Sequence, residues 1–251
     1  MINIRHLGRT AVLELRHGKA NALDTELCRE LMGCLEQIRS SHVSAVIITS
    51  EGRIFSAGVD LLRVLAGGHD YLQQFLPVLR DTLKMMFLYP KPMIAAVNGH
   101  AIAGGCLLAC AGDRRLMVGN GARIGVTELL VGLPFPVIAM EIMRFAVASH
   151  RFRDVVFSGQ TFLAEQGIEL GLVDEVVEAS ALMDRALAAA EELAARSPSA
   201  FALTKDQMRR SVLEQVQRFG PQFDQAVDAV WLAPDTVGKI GDYVSRTFKK
   251  P

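Results

Sequence analysis

Thr10–Arg16 alternates apolar and polar side chains, the period of a half-buried strand, and Met1–His6 leads straight into it. After the turn Gly18-Lys19-Ala20-Asn21-Ala22-Leu23, Asp24 is placed to cap a helix reaching about Ser40, with Glu26 in its first turn. Ala45–Thr49 is a short, continuous, β-branched apolar run, which predicts a strand buried on both faces. Leu61–Leu88 follows helical spacing but is interrupted by Gly67-Gly68 and Pro77. Pro90-Lys91-Pro92 ends that pattern, and Met93–Val97 reads as a second buried strand. Leu107–Ala111 is small and apolar on every side, as expected of a helix deep in a core. Arg114–Val118, Arg123–Val126 and Leu172–Val177 are further strands by the same reasoning. From Ala181 onward the pattern is helical. Leu182–Arg196 is rich in Ala, Leu and Glu, and Pro198, Pro221 and Pro234 each predict the start of a helix. The shift predicts an α/β core over residues 1–195 and a helical segment over 196–251.

Half of the 251 residues are hydrophobic, enough for a large core with a surplus for subunit contacts. The 27 basic and 27 acidic residues cancel, so no global field favours nucleic acid or an anionic membrane, and neither is expected as a partner. Cys28, Cys34, Cys106 and Cys110 lack metal-type spacing and read as buried free thiols, with no metal expected. No leader-like stretch or long apolar span precedes the first strand, which predicts a cytoplasmic protein.

The candidate chemistry lies in two glycine-bearing turns, Phe55-Ser56-Ala57-Gly58-Val59-Asp60 and Ala103-Gly104-Gly105-Cys106, followed by Glu128. Each turn sits between an apolar strand and a helical pattern, so each can point backbone N–H groups into a shared pocket. Two such donors can hold a thioester oxygen as it gains negative charge. A carboxylate nearby can then move a proton beside that carbonyl. Glu128 stands among Leu129, Leu130 and Val131, which favours a buried acid over an exposed loop carboxylate. Asp60 is placed to cap the following helix and Asp113 to anchor a turn. Glu141 is a weaker second-carboxylate candidate.

In their order and spacing these residues resemble the crotonase (enoyl-CoA hydratase/isomerase) superfamily. The likeness runs from Asn21-Ala22-Leu23 through Phe55–Asp60 and Val97–Cys106 to Asp113, Glu128 and Gly132. The resemblance implies a spiral of repeated ββα units, a helical C-terminal oligomerisation region, and a homotrimer or dimer of trimers. It places the oxyanion-holding N–H groups at Val59 and Gly104 and the acid/base at Glu128. Acyl-CoA contacts are implied for Ala57, Gly58, Asp60, Leu61, His100, Gly105, Leu107 and Thr127 around those turns. Lys19, Ala20 and Ala22 match the segment that meets the nucleotide and pantetheine, and Lys205 is placed to reach the phosphates. Coenzyme A enters as part of the substrate, with no separate cofactor. The stretch Leu61–Leu88 is expected to line the acyl pocket.

The informative departure is Leu107, where hydratases of the family carry a glutamate. Hydration needs a water held between two carboxylates, whereas double-bond migration needs one base. The pattern therefore resembles single-glutamate Δ3,Δ2-enoyl-CoA isomerases. An acyl-CoA hydrolase, another enolate reaction, or an inactive CoA-binding subunit are the alternatives on the same scaffold.

Overall fold

The computed structural model describes residues 1–248. The chain opens with the antiparallel pair β1 (Ile2–Leu7) and β2 (Thr10–Leu15), then α1 (Thr25–Arg39). Three ββα-like turns follow: β3 (Ala45–Ser50), β4 (Ile54–Ser56) and α2 (Leu61–Phe87); β5 (Met93–Val97), β6 (His100–Ile102) and α3 (Gly104–Cys110); then β7 (Arg114–Val118), β8 (Arg123–Gly125), a 3-10 turn (Glu128–Val131) and α4 (Val137–Ala146). In each turn the first strand joins one sheet and the second joins another. The larger sheet has the order β1-β2-β3-β5-β7-β10, the last strand being Glu175–Val177, and is parallel beyond its first pair. The smaller sheet runs β4-β6-β8-β9, with β9 (Phe162–Leu163) antiparallel to β8. This winding is the spiral of repeated ββα units that the resemblance implies. Helices α5 (Phe152–Ser158), α6 (Ala164–Leu170) and α7 (Leu182–Ala194) complete the α/β part, and α8 (Pro198–Trp231) and α9 (Pro234–Phe248) form the helical end.

Burial explains why the apolar runs form strands. All of β3 and β5 is buried, as expected for parallel strands covered on both faces. Asp24 caps α1 by accepting the Leu27 N–H at 2.7 Å, and Asp60 caps α2 by accepting the Arg63 N–H at 2.9 Å. Helix α2 kinks only at Gly68 (φ 56°, ψ −145°); Pro77 lies within it.

Three expectations change. Pro221 does not begin a helix, because α8 runs through it. The Arg80 guanidinium grips Asp228 at 2.6 and 3.1 Å, and Asp224 accepts the Val137 N–H at 2.8 Å, so tertiary contacts hold the helix past its proline. Helix α3 begins at Gly104 rather than Leu107, which puts the glycines in its first turn. The strand predicted over Leu172–Val177 is confined to Glu175–Val177.

The helical end packs back onto the α/β part through a buried ion cluster. Asp113 accepts from Lys205 Nζ at 2.6 Å and from Arg209 at 2.8 Å, and it also accepts the Met93 N–H at 2.8 Å. Arg209 further donates to the carbonyls of Phe87, Ala111 and Gly112, the last two at the C-terminal end of α3. Asp113 thus anchors not only its own turn but the whole of α8.

Candidate active site

The two glycine turns meet. A Cβ built on Gly58 would lie 2.8 Å from the Gly104 nitrogen, 2.8 Å from Ala103 Cβ and 2.9 Å from the Ile102 carbonyl oxygen. Gly58 also has φ +82°, so glycine is required there on both counts. A Cβ on Gly105 would lie 2.1 Å from the Ser56 carbonyl oxygen, which locks α3 against the end of β4. The loop after β2 is stitched to the same turn: Ala57 N–H donates to Ala20 O at 3.0 Å, Leu23 N–H to Gly58 O at 2.7 Å, and Asp60 N–H to Leu23 O at 2.9 Å. This parallel bridge engages the Gly58 carbonyl and the Asp60 N–H on either side of Val59, and the Gly58 N–H donates to Ser56 Oγ at 3.2 Å, so both neighbouring N–H groups are paired. Those of Val59 and Gly104 donate to no acceptor among the described residues. Ala103, just before Gly104, holds φ +52° and ψ −123°, a costly conformation for a residue with a Cβ, fixed by its own N–H donating to Gly125 O at 2.8 Å. The strain turns the start of α3 toward Val59.

Val59 opens onto a cleft of about 760 Å³, within the roughly 300–1,000 Å³ usual for small-molecule sites. Lys19, Ala20, Ala22, Ala57, Asp60, Leu61, Thr127 and Glu128 line the same cleft, so it gathers most of the residues singled out in the sequence. Glu128 starts the 3-10 turn after β8 and is 9 % exposed. Its Oε2 has no hydrogen-bond partner among the described residues. Burial raises its carboxyl from the ordinary 4.5 to about 7, opposed in part by the backbone N–H groups of Glu128 and Thr127. A carboxyl near neutrality can both take and return a proton.

Other sequence candidates fall elsewhere. Gly58 and Gly105 form the packed backing of the turns rather than the cleft wall, whereas Gly104 follows the cleft-lining Ala103, and a Cβ on it would lie 3.6 Å from the Val59 nitrogen. His100 accepts the Arg123 N–H at 3.2 Å through Nδ1 and does not line the cleft. Leu107 is buried in the core one turn down α3 and is not part of the cleft wall either. Lys205 is not free to meet phosphates: it is buried, tied to Asp113, and its pKa is lowered to about 8 chiefly by that burial. Glu141 pairs with Arg144 at 3.2 Å, outside the cleft. Helix α2 supplies the wall only through Leu61, Leu62 and Arg63, not along its length.

The residues that sequence reasoning missed lie both beside the motifs and far along the chain. His17 lies at the cleft with Nε2 2.6 Å from Asp24 Oδ2, and Arg63 bridges to Glu26 at 3.2 Å. Val131, Leu133, Trp231 and Tyr243 form an apolar end beside Glu128. The cysteines are free and buried; burial pushes the Cys28 thiol up to about 12, leaving it a packing residue. No helix among the described residues is long and apolar enough to cross a membrane.

The arrangement offers two backbone donors for an oxygen, one carboxyl poised near neutrality, and a dry wall around it. Comparison with known proteins shows the family of the chain. The family model described as enoyl-CoA hydratase/isomerase matches residues 9–227. A Thermus thermophilus protein named as an enoyl-CoA hydratase is 34% identical over 205 residues, 79% of this chain and 80% of that protein. Human mitochondrial Δ3,Δ2-enoyl-CoA isomerase superposes with a TM-score of 0.94 over 99% of this chain and 98% of that one, at 22% identity, a likeness of fold. A Mycobacterium tuberculosis structure described as an enoyl-CoA isomerase gives 0.80 at 27% identity, covering 91% of this chain and 96% of that one. The chain belongs to the enoyl-CoA hydratase/isomerase family.

Proposed function

We propose that this acyl-CoA enzyme moves a double bond, converting 3-enoyl-CoA to 2-enoyl-CoA with Glu128 as its single acid/base. The carrying observation is the isolation of Glu128: it is a buried carboxyl in the cleft, with one oxygen unpartnered and a pKa near 7. In this reading the Glu128 carboxylate removes a proton from C2, and the negative charge passes to the thioester oxygen. The Val59 and Gly104 N–H groups hold that oxygen as a dienolate. The protonated Glu128 then returns the proton to C4, so one proton is moved and none is consumed. Ile102, Val131 and Leu133 keep water from competing for it.

Hydration is the second reading, favoured by the name of the Thermus relative. It needs a second acid/base beside the double bond. The other cleft carboxylates are Asp24, Glu26 and Asp60, and each is engaged: with His17, with Arg63, and as the cap of α2. The α3 side, where Leu107 stands, provides none. The deciding experiment compares isomerisation of 3-enoyl-CoA with hydration of crotonyl-CoA by the purified chain. A missing positioned acid/base group costs about 10²–10⁴-fold, so hydration should be slower by that order. Efficient hydration would overturn the single-base reading.

We further propose that the substrate's coenzyme A lies along the Lys19–Leu23 loop and that the chain assembles as a trimer or dimer of trimers. Leu203, Met208, Phe223 and Val230 stand exposed on α8, more apolar surface than a solvated helix face needs. Sedimentation of the full chain tests the assembly, and a monomer at micromolar concentration would refute it.

A further inference from the structure

The cleft is polarised along its length. Apart from Glu128, its ionic side chains, His17, Lys19, Asp24, Glu26, Asp60 and Arg63, belong to the loop after β2 and to the starts of α1 and α2. Past Glu128 the wall is built on the turn that carries it. Val131 closes the 3-10 turn, and the Leu133 N–H donates to Glu128 O at 2.9 Å. Trp231 docks on the same turn, its Nε1–H donating to Pro134 O at 3.1 Å. Tyr243 comes from α9, which packs on this turn as well. Among the described residues, no charged side chain of the wall other than Glu128 arises from this turn or from α8 and α9.

Trp231 is a fixed wall rather than a flexible one. It is 2 % exposed, and its indole has a defined acceptor. Its helix is pinned one turn earlier by the two-bond grip of Arg80 on Asp228, and two turns earlier by Asp224 at the start of α4. A ring held this way cannot swing aside for a longer ligand without breaking those contacts.

We infer that Trp231 is a specificity-determining residue, closing the apolar end of the cleft so that it accepts unbranched hydrocarbon acyl groups up to a set length and excludes acyl groups bearing a terminal carboxylate. This rests on the acyl-CoA reading above, but not on which reaction follows. A carboxylate at that end would meet Val131, Leu133 and the indole face. Lys239 lies against Gly132 of the same turn, its Nζ 3.8 Å from a Cβ built there, but does not line the cleft. Among the described residues the carboxylate thus finds no cation of the wall at that end to pair it, and it bears a desolvation cost.

The test needs no turnover. Saturated acyl-CoAs from butyryl to palmitoyl, with succinyl-CoA and free CoA beside them, are titrated calorimetrically into the full chain. Affinity should rise about fourfold per methylene while the chain fills the apolar end, then stop rising at a definite length. Succinyl-CoA should bind more weakly than butyryl-CoA. In Trp231→Leu the break should move to longer chains. A companion variant, Val131→Phe, fills the same end and should move the break to shorter chains, which keeps the test decisive if Trp231→Leu does not fold. A steady rise through palmitoyl-CoA, a break that stays put in the variants, or succinyl-CoA binding as well as butyryl-CoA would overturn the inference while leaving the acyl-CoA reading standing. Failure of every CoA species to bind would instead defeat that underlying reading.

Discussion

Replacing Glu128 with glutamine should abolish proton transfer and, at the same time, make the protein more stable at alkaline pH. Burial raises this carboxyl from 4.5 to about 7, so between those pH values the folded chain holds a proton that the unfolded chain releases. Stability therefore falls as pH rises across that window, because the unfolded state binds fewer protons than the folded one. At about 1.4 kcal/mol per tenfold change in acidity, the full cost of ionising Glu128 in place is roughly 3 kcal/mol above pH 7. Glutamine keeps the shape and never ionises. Some of its gain is lost because the amide is also a buried polar group, but that part does not vary with pH. The measurement is the difference in unfolding free energy between Glu128→Gln and the parent, from urea denaturation at pH 5 and at pH 8. The difference should swing in favour of the variant by roughly 2–3 kcal/mol over that range, while acyl-CoA still binds and turnover is lost. A difference independent of pH would refute the claim that the cleft holds Glu128 against its own ionisation. Near-native turnover would show that another group is the base.

Four further expectations follow from the same geometry. The kcat/KM of the parent should climb about tenfold per pH unit below 7 and level off above it, as the Glu128 carboxylate forms; a profile flat from pH 5 to 8 would contradict this. Gly58→Ala, whose Cβ would press on the Gly104 nitrogen at 2.8 Å, should spoil the paired N–H groups and lower kcat by about 10²–10³-fold in a steady-state assay. Asp113→Ala leaves Lys205 and Arg209 buried without a counter-charge and should cost about 3–5 kcal/mol in denaturation, whereas Lys205→Met should leave CoA affinity unchanged in calorimetry.

The legible parts of the chain were those whose signal is local. β3 and β5 are largely continuous apolar runs, β7 ends in one at Leu116–Val118, and α1 announces its start with Asp24, so their positions follow from hydrophobic pattern and capping. The smaller sheet is built of strands two or three residues long, too short to show a period, and it becomes visible only through pairing. The turns at Gly58 and Gly104 were readable because glycine there answers a steric demand. Lys205 was misread for a physical reason: a lysine in a helical pattern looks solvated until a buried partner such as Asp113, 92 residues away, is brought beside it. Trp231 and Tyr243 could not be assigned to the cleft for the same reason, since nothing near them in sequence marks a contact with the turn at Glu128. The acyl end was therefore sought on α2, whose middle instead packs into the core.

What marks the site in the folded chain is a group of departures from ordinary local rules in one place. Ala103 takes a backbone conformation that costs about 1–3 kcal/mol, and among the described residues the Val59 and Gly104 N–H groups find no acceptor and Glu128 lies buried without a counter-ion. Each is unfavourable alone, and a chain selected only for stability would have replaced it. The surrounding structure holds them in place: the loop after β2 bridges Val59, Gly105 wedges α3 against β4, and the Asp113–Lys205–Arg209 cluster clamps the far end of α3. These departures share one chemical purpose. An oxygen gaining charge would satisfy the two N–H groups, and a proton arriving from carbon would neutralise Glu128. The reaction intermediate would thus supply the partners that the resting cleft lacks, which is how differential binding lowers a barrier.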